Sequence, residues 1–304
     1  MLAAALLFIT VKPSFKNDPN PVLVKIPRGA SARQTAQLLE EQGVIHSPLF
    51  FLFLVKWSGK SSILQHGAYL LEKNHYFQTV EKLKKGFTHS LKITIPEGWN
   101  SFQIARRLEA VRIIPDLEMF MKFVEKNHYE GMLFPNTYFF EPLSDFEEIC
   151  QGMLEQFKKN YSEKFVQRAK ELNLTQKQVL TIASIIEKES QVDFDRPLVS
   201  SVYHNRLKKG FALQADPTVQ YALSNGRSWK EKLYYKDLEV QSPYNTYRVR
   251  GLPPGPICNP GLKSIEAALY PADTNYLFFV ADGKGGHYFF STYRDHIKSQ
   301  LKKR

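Results

Sequence analysis

Beyond residue 20 one pattern of apolar and polar positions comes round twice. A short apolar run ends in Pro-x-Gly, a polar residue follows, and apolar residues then recur at helical spacing. Residues 26–45 read IPRGASARQTAQLLEEQGVI and residues 95–114 read IPEGWNSFQIARRLEAVRII, with eight of twenty positions identical. Each copy predicts a strand end, a turn, a helix start at Ser or Asn, and an amphipathic helix. The stripe is Thr35, Leu38, Leu39 and Gln42 in the first copy and Ile104, Leu108 and Val111 in the second. A related pattern, Tyr69–Leu71 followed by Thr79–Leu83, lies between them. Strand–turn–helix units of this size build small α+β modules. A first domain is therefore expected over 20–92, and the second copy opens a larger one over 93–304.

The larger part reads mostly helical to about residue 224. Amphipathic helices are expected over 116–127 and 144–171, with the aromatic stretch 130–140 as a loop between them. Thr175-Gln-Lys-Gln178 is a capping box for a helix over Gln176–Gln191. Five prolines within 243–260 predict a rigid loop, and Asn259-Pro260 reads as the cap and first turn of a further helix. Tyr276–Val280 and His287–Phe290 flank Asp282-Gly-Lys-Gly-Gly286, which predicts a hairpin, and a terminal helix follows from Ser291. The fold class expected is α+β.

Composition narrows the choices. With 304 residues, 43% hydrophobic and 23% charged, the chain can bury a real core. Two cysteines, Cys150 and Cys258, and eight scattered histidines show no metal-ligand spacing, so no metal or cofactor is expected. The net charge of +11 and a pI near 9.4 favour anionic partners, but no nucleic-acid-binding signature accompanies them. Residues 1–11 form an uncharged run, too short alone for the roughly 20 residues of a spanning helix. Residues 1–19 are accordingly expected to be the end of a truncated membrane anchor with a Pro-containing linker; a buried or cleaved apolar segment is the other reading.

The chemistry centres on the capped helix. At 100° per residue Val179, Ile182, Ala183, Ile186 and Ser190 share a face, Glu187 lies at its edge, and Glu189 lies on the opposite edge. A carboxyl group half-sunk among aliphatic side chains stays protonated towards neutral pH and can donate to a leaving oxygen. A boundary glutamate paired with Lys or Arg is the plain alternative. Asn205-Arg206, the run Gln214 to Tyr221 with Asp216 and Thr218, and Ser242-Pro-Tyr-Asn-Thr-Tyr247 carry more polar and aromatic groups than packing requires. Asp216-Pro217 is also a good helix start. Aromatic platforms beside the rigid loop Gly251–Pro256 suit a polyhydroxylated ligand such as a glycan.

Six motifs then fall in one order: Ala183-Ser-Ile-Ile-Glu187-Lys-Glu189, Val202-Tyr-His-Asn-Arg206-Leu, Leu213-Gln-Ala-Asp-Pro-Thr218, Ser242-Pro-Tyr-Asn-Thr-Tyr247, Gly251-Leu-Pro-Pro-Gly255, and Tyr276 to His287. Over roughly residues 20–300 the chain resembles the endolytic murein transglycosylases, the MltG/YceG-like family. The resemblance implies a LysM-like subdomain followed by a catalytic domain with a C-terminal β-hairpin. It implies a single-pass membrane-anchored enzyme acting on the extracytoplasmic side of a bacterial cell membrane. It implies cleavage of nascent peptidoglycan strands between N-acetylmuramic acid and N-acetylglucosamine to leave 1,6-anhydro ends, which would terminate chain elongation. Peptidoglycan synthases are then possible partners.

By that resemblance Glu187 is the catalytic acid/base; Glu189 is the candidate supporting residue, with Arg206 expected to hold it. Asn205, Gln214, Asp216, Thr218, Tyr221, Ser242, Tyr244, Asn245 and Tyr247 are the expected substrate contacts. A hydrolytic muramidase and a non-enzymatic wall-binding scaffold are the alternatives.

Overall fold

A computed structural model describes residues 20–59, 64–86 and 88–301. The expected anchor and linker over 1–19 lie outside the described residues. Among the described residues no helix is long and apolar enough to cross a membrane. The chain divides into two compact units: one holds the described residues up to Leu91 with Glu141–Leu143, the other holds Lys92–Phe140 and the chain from Ser144.

In the first unit β1 (Val22–Ile26) runs into helix α1 (Ala32–Glu41), followed by α2 (Pro48–Trp57), β2 (Gly67–Leu71) and α3 (Tyr76–Lys85). The capping box that starts α1 is complete: the Ser31 hydroxyl accepts from the Gln34 N–H, and the Gln34 side chain accepts from the Ser31 N–H. Strands β1 and β2 pair antiparallel, Val22 opposite Leu71 and Ile26 opposite Gly67. Val24, Ile26, Leu39, Phe51, Tyr69, Leu71 and Leu83 make the core. Gln42, expected in the stripe of α1, is instead its exposed C-cap. Helix α2 went unpredicted, because PLFFLFLVKW is apolar all along and shows no period. The Glu141 carboxylate closes the unit by accepting the Ala68 N–H at 2.8 Å.

The second unit opens with the second copy of the pattern. Strand β3 (Leu91–Ile95) leads into α4 (Ser101–Ala110) through a second complete capping box, Asn100 with Gln103. Helix α5 (Leu117–Lys126) follows, then β4 (Asn136–Phe140), which pairs with β3. Half of the expected aromatic loop is thus strand, with Tyr138 and Phe140 stacked at 5.3 Å on its buried face. The helix expected over 144–171 is two, α6 (Phe146–Asn160) and α7 (Glu163–Glu171), broken at Tyr161-Ser162. Then come α8 (Gln176–Glu189), α9 (Arg196–Lys208), α10 (Asp216–Ser224), α11 (Leu262–Leu269), the hairpin β5 (Phe278–Ala281) and β6 (His287–Phe290), and α12 (Tyr293–Leu301).

Helix α8 is the axle of this unit. Every residue from Val179 to Ile186 is buried, and α11 and α9 pack against it. A helix buried all round needs its polar side chains satisfied internally. Thr181 donates back to Lys177 O at 2.7 Å and Ser184 to Thr181 O at 2.8 Å, and the Ser184 hydroxyl also accepts the Ile257 N–H. Outside that stretch α8 leaves the core, at its exposed first turn (176–178) and again from Glu187 onward.

Candidate active site

The two glutamates at the end of α8 project to opposite sides and meet different partners. Both oxygens of Glu187 are engaged. Oε1 accepts from the Arg196 guanidinium at 3.3 Å and Oε2 from the Gly261 N–H at 2.9 Å, at the start of α11. A helix N-terminus and a guanidinium are both natural partners of a carboxylate. Arg196 in turn bonds Asp193 and Ser264. Glu97 packs against Gly261, so closely that a Cβ there would stand 1.9 Å from its carboxylate. Burial first, and then the Glu187 charge, push the Glu97 carboxyl upward, while Arg196 and Lys263 oppose them. Glu187 is thus a carboxylate paired with an arginine.

Glu189 has the environment expected of Glu187. Burial pushes its carboxyl up to about 7, the Asp216 charge adds to the rise, and the Tyr203 hydroxyl and Arg206 work against it. Oε1 accepts from the Tyr203 hydroxyl at 2.8 Å. Oε2 has no partner among the described residues. Glu189 lines an open pocket of about 270 Å³ with Gln191, Ala281, Gly283, Gly285, Gly286 and His287. Along its buried length α8 has no solvent face. Direction at the helix end is set by what packs there.

Arg206 does not hold Glu189 directly. Its buried guanidinium donates to the carbonyls of Leu277, Ala212 and Leu213 and to Gln214 Oε1 at 3.2 Å. It thereby fixes the segment leading to α10 and acts on Glu189 through charge alone. Gln214 sits at φ +49°, a strained position for a non-glycine residue. Asp216 accepts from the Tyr247 hydroxyl at 2.6 Å. Arg206, Gln214, Asp216 and Tyr247 thus gather on the Glu189 side of α8.

Other expected contacts have structural work. Asn205 donates to the carbonyls of Thr274 and Tyr276, and fully buried Asn245 donates to those of Leu238 and Val240. Thr218 is buried and bonded to Thr246 at 2.8 Å, while the Ser242 hydroxyl accepts the Tyr244 N–H. Their polar atoms are engaged within the protein, as buried polar groups require. Tyr221 and Tyr244 pack on each other at 4.7 Å; burial first, and then the Glu130 charge, pushes both hydroxyls up. Burial pushes Glu130 up to about 7, although it accepts from the Ser101 N–H and the Asn259 amide.

Asn259 was expected to cap α11. Gly261 is the cap, and the Asn259 side chain instead accepts from the N–H groups of Gly131 and Leu133 and donates to Trp99 O. Sequence reasoning did not single out Asp195, Arg196, Glu97 or Tyr203. Only His287 carried a local signal, the glycine-rich turn before it. Cys150 and Cys258 are both buried and free.

The YceG-like family profile matches residues 24–302. An endolytic murein transglycosylase of Bacillus subtilis (strain 168) is 36% identical, over 96% of this chain and 87% of its own length. One of the same name from Streptococcus pneumoniae serotype 2 (strain D39 / NCTC 7466) is 30% identical over 93% of this chain, which spans 58% of that relative. The crystal structure of a yceG-like protein from Listeria monocytogenes is similar with a TM-score of 0.60 and 36% identity, covering 91% of this chain and 98% of that one.

Proposed function

The chain belongs to the YceG-like family, and from that membership we propose that it is an endolytic murein transglycosylase, a lyase of peptidoglycan strands, with Glu189 as its acid. One observation carries the assignment within the Glu-Lys-Glu run. The Glu189 carboxyl lies at a pocket, raised to about 7 by burial, with one oxygen unpartnered among the described residues. Near neutral pH much of it carries the proton that a leaving glycosidic oxygen needs.

Most glycosidases need a second carboxylate to activate water or to attack the sugar. A lytic transglycosylase does not. The C6 hydroxyl of the N-acetylmuramic acid attacks its own C1, and proximity replaces the second acid. Glu189 protonates the glycosidic oxygen, the C1–O bond breaks, and ring closure leaves a 1,6-anhydro end. Tyr203 orients the carboxyl, while Gln214, Asp216 and Tyr247 are the polar groups nearest a bound strand. Asp216 and Tyr247 engage each other in the free protein.

The first unit serves as a LysM-like module, and the apolar run 1–11 attaches the protein to the membrane, on the extracytoplasmic side where nascent strands emerge. Peptidoglycan synthases are the partners this places within reach.

A second reading keeps Glu187 as the acid, as the resemblance implies. Its support is Glu97, a second carboxyl close enough to feel the Glu187 charge. Matched turnover and circular dichroism on two variants separate the readings. Glu189→Gln should retain the fold and lose strand cleavage by about 100-fold or more. Glu187→Gln should lose up to about 3 kcal/mol of stability, because Arg196 loses a buried counter-charge, while the folded fraction still cuts. The reverse pattern would transfer the acid to Glu187.

A further inference from the structure

The pocket that holds Glu189 also holds a histidine with a dedicated carboxylate. His287 Nδ1 lies 2.8 Å from Asp195 Oδ2, and the two side chains are 9% and 0% exposed. Asp195 Oδ1 has no hydrogen-bond partner among the described residues, so its one bonded contact is the imidazole. A fully buried carboxylate with a single partner is costly, which argues for a task beyond folding.

The geometry also sets the tautomer. A carboxylate only accepts, so Nδ1 carries a hydrogen towards Asp195, and in the neutral ring Nε2 is the atom with the lone pair. Nε2 has no partner among the described residues, and His287 lines the pocket together with Glu189. The ring is held edge-on to Phe279 at 5.1 Å. Gly285, at φ +94°, and Gly286 keep the backbone beside it low: a Cβ at Gly286 would meet Asp282 Oδ2 at 3.1 Å and Asp195 Oδ2 at 3.4 Å.

We propose that His287, oriented by Asp195, is the catalytic base that takes the proton from the attacking C6 hydroxyl. The proposal rests on Glu189 being the acid. As Glu189 gives its proton to the leaving oxygen, the C1–O bond breaks, O6 bonds to C1, and the O6 proton passes to His287 Nε2. Loss of that proton to solvent and reprotonation of Glu189 restore the starting state, with no net proton, water or electron consumed. The two groups then divide a duty that a lone glutamate would perform in sequence, and the Asp195–His287 pair follows the same logic as a base oriented by a buried carboxylate in acyl transfer.

The test is chemical rescue. In His287→Ala, kcat should fall about 100-fold or more with KM within about threefold, and added imidazole should restore turnover in a saturable way. Asp195→Asn, which disturbs the tautomer but keeps the shape, should lower kcat by at least about tenfold. His287→Gln guards against a folding defect: it keeps a polar side chain yet should show the same loss. Turnover within threefold of wild type in either His287 variant would overturn the proposal. So would a loss in folded His287→Ala that imidazole leaves untouched, which is what a purely structural histidine gives. Glu189→Gln, assayed alongside, should be inactive with or without imidazole. If that variant turns over normally, the acid assignment has failed, and this result is distinct from failure of His287 alone.

Discussion

Two glutamates two positions apart on one helix meet different partners because 200° of rotation separates them. Glu187 meets Arg196 and the Gly261 N–H, and both of its oxygens are occupied. Glu189 meets Tyr203, with Asp216 near enough to raise its carboxyl further. The sign of the pH dependence follows. With Glu189 as the proposed acid the active form is the protonated one, so kcat/KM should fall as pH rises through about 7, approaching tenfold per unit beyond it. Removing the like charge with Asp216→Asn should shift that descending limb to lower pH. Initial rates of strand cleavage across pH 5 to 9 on both proteins check this; a profile flat from pH 6 to 9 would remove Glu189 as the donor.

Among the elements, the paired strand–turn–helix copies were legible because their signals are local. Ser31 with Gln34 and Asn100 with Gln103 are capping boxes that need nothing beyond four residues of chain. The hairpin β5–β6 and the helix starting at Asp216 were legible for the same reason. What failed was whatever depended on a distant partner. Strand β4 hid in an aromatic run because its pairing with β3 lies some forty residues away. Asn259 reads as a cap, yet its amide ties Gly131 and Leu133 to Trp99. Polar residues of the motifs, such as Asn245 and Thr218, are buried and bonded internally, since residue type does not reveal direction. At Gly131 the same scaffold allows no side chain: φ is +89°, and a Cβ would stand 2.5 Å from Pro256 Cγ. Gly131→Ala should therefore destabilise the second unit by about 2 kcal/mol or more, because proline cannot yield and the backbone is left-handed. Thermal unfolding of that variant beside wild type measures it, and an unchanged midpoint would mean that the contact relaxes at no cost.

For the whole molecule, a charge of +11 suits a protein that works along an anionic polymer, although charge alone never singled out a glycan. The pocket is open to solvent, and Tyr247 and the Pro-rich loop from Gly251 belong to the same unit as Glu189. Cuts are accordingly expected within strands, giving long early products of mixed length. The mechanism as a whole turns on one point, that the nucleophile comes from the substrate and not from solvent. Cleavage of purified sacculi in heavy-oxygen water, read by mass spectrometry of the released muropeptides, decides it. The expected products are fragments with 1,6-anhydro ends that carry no label. Reducing ends containing the heavy oxygen would contradict it and make the same acid part of a hydrolase.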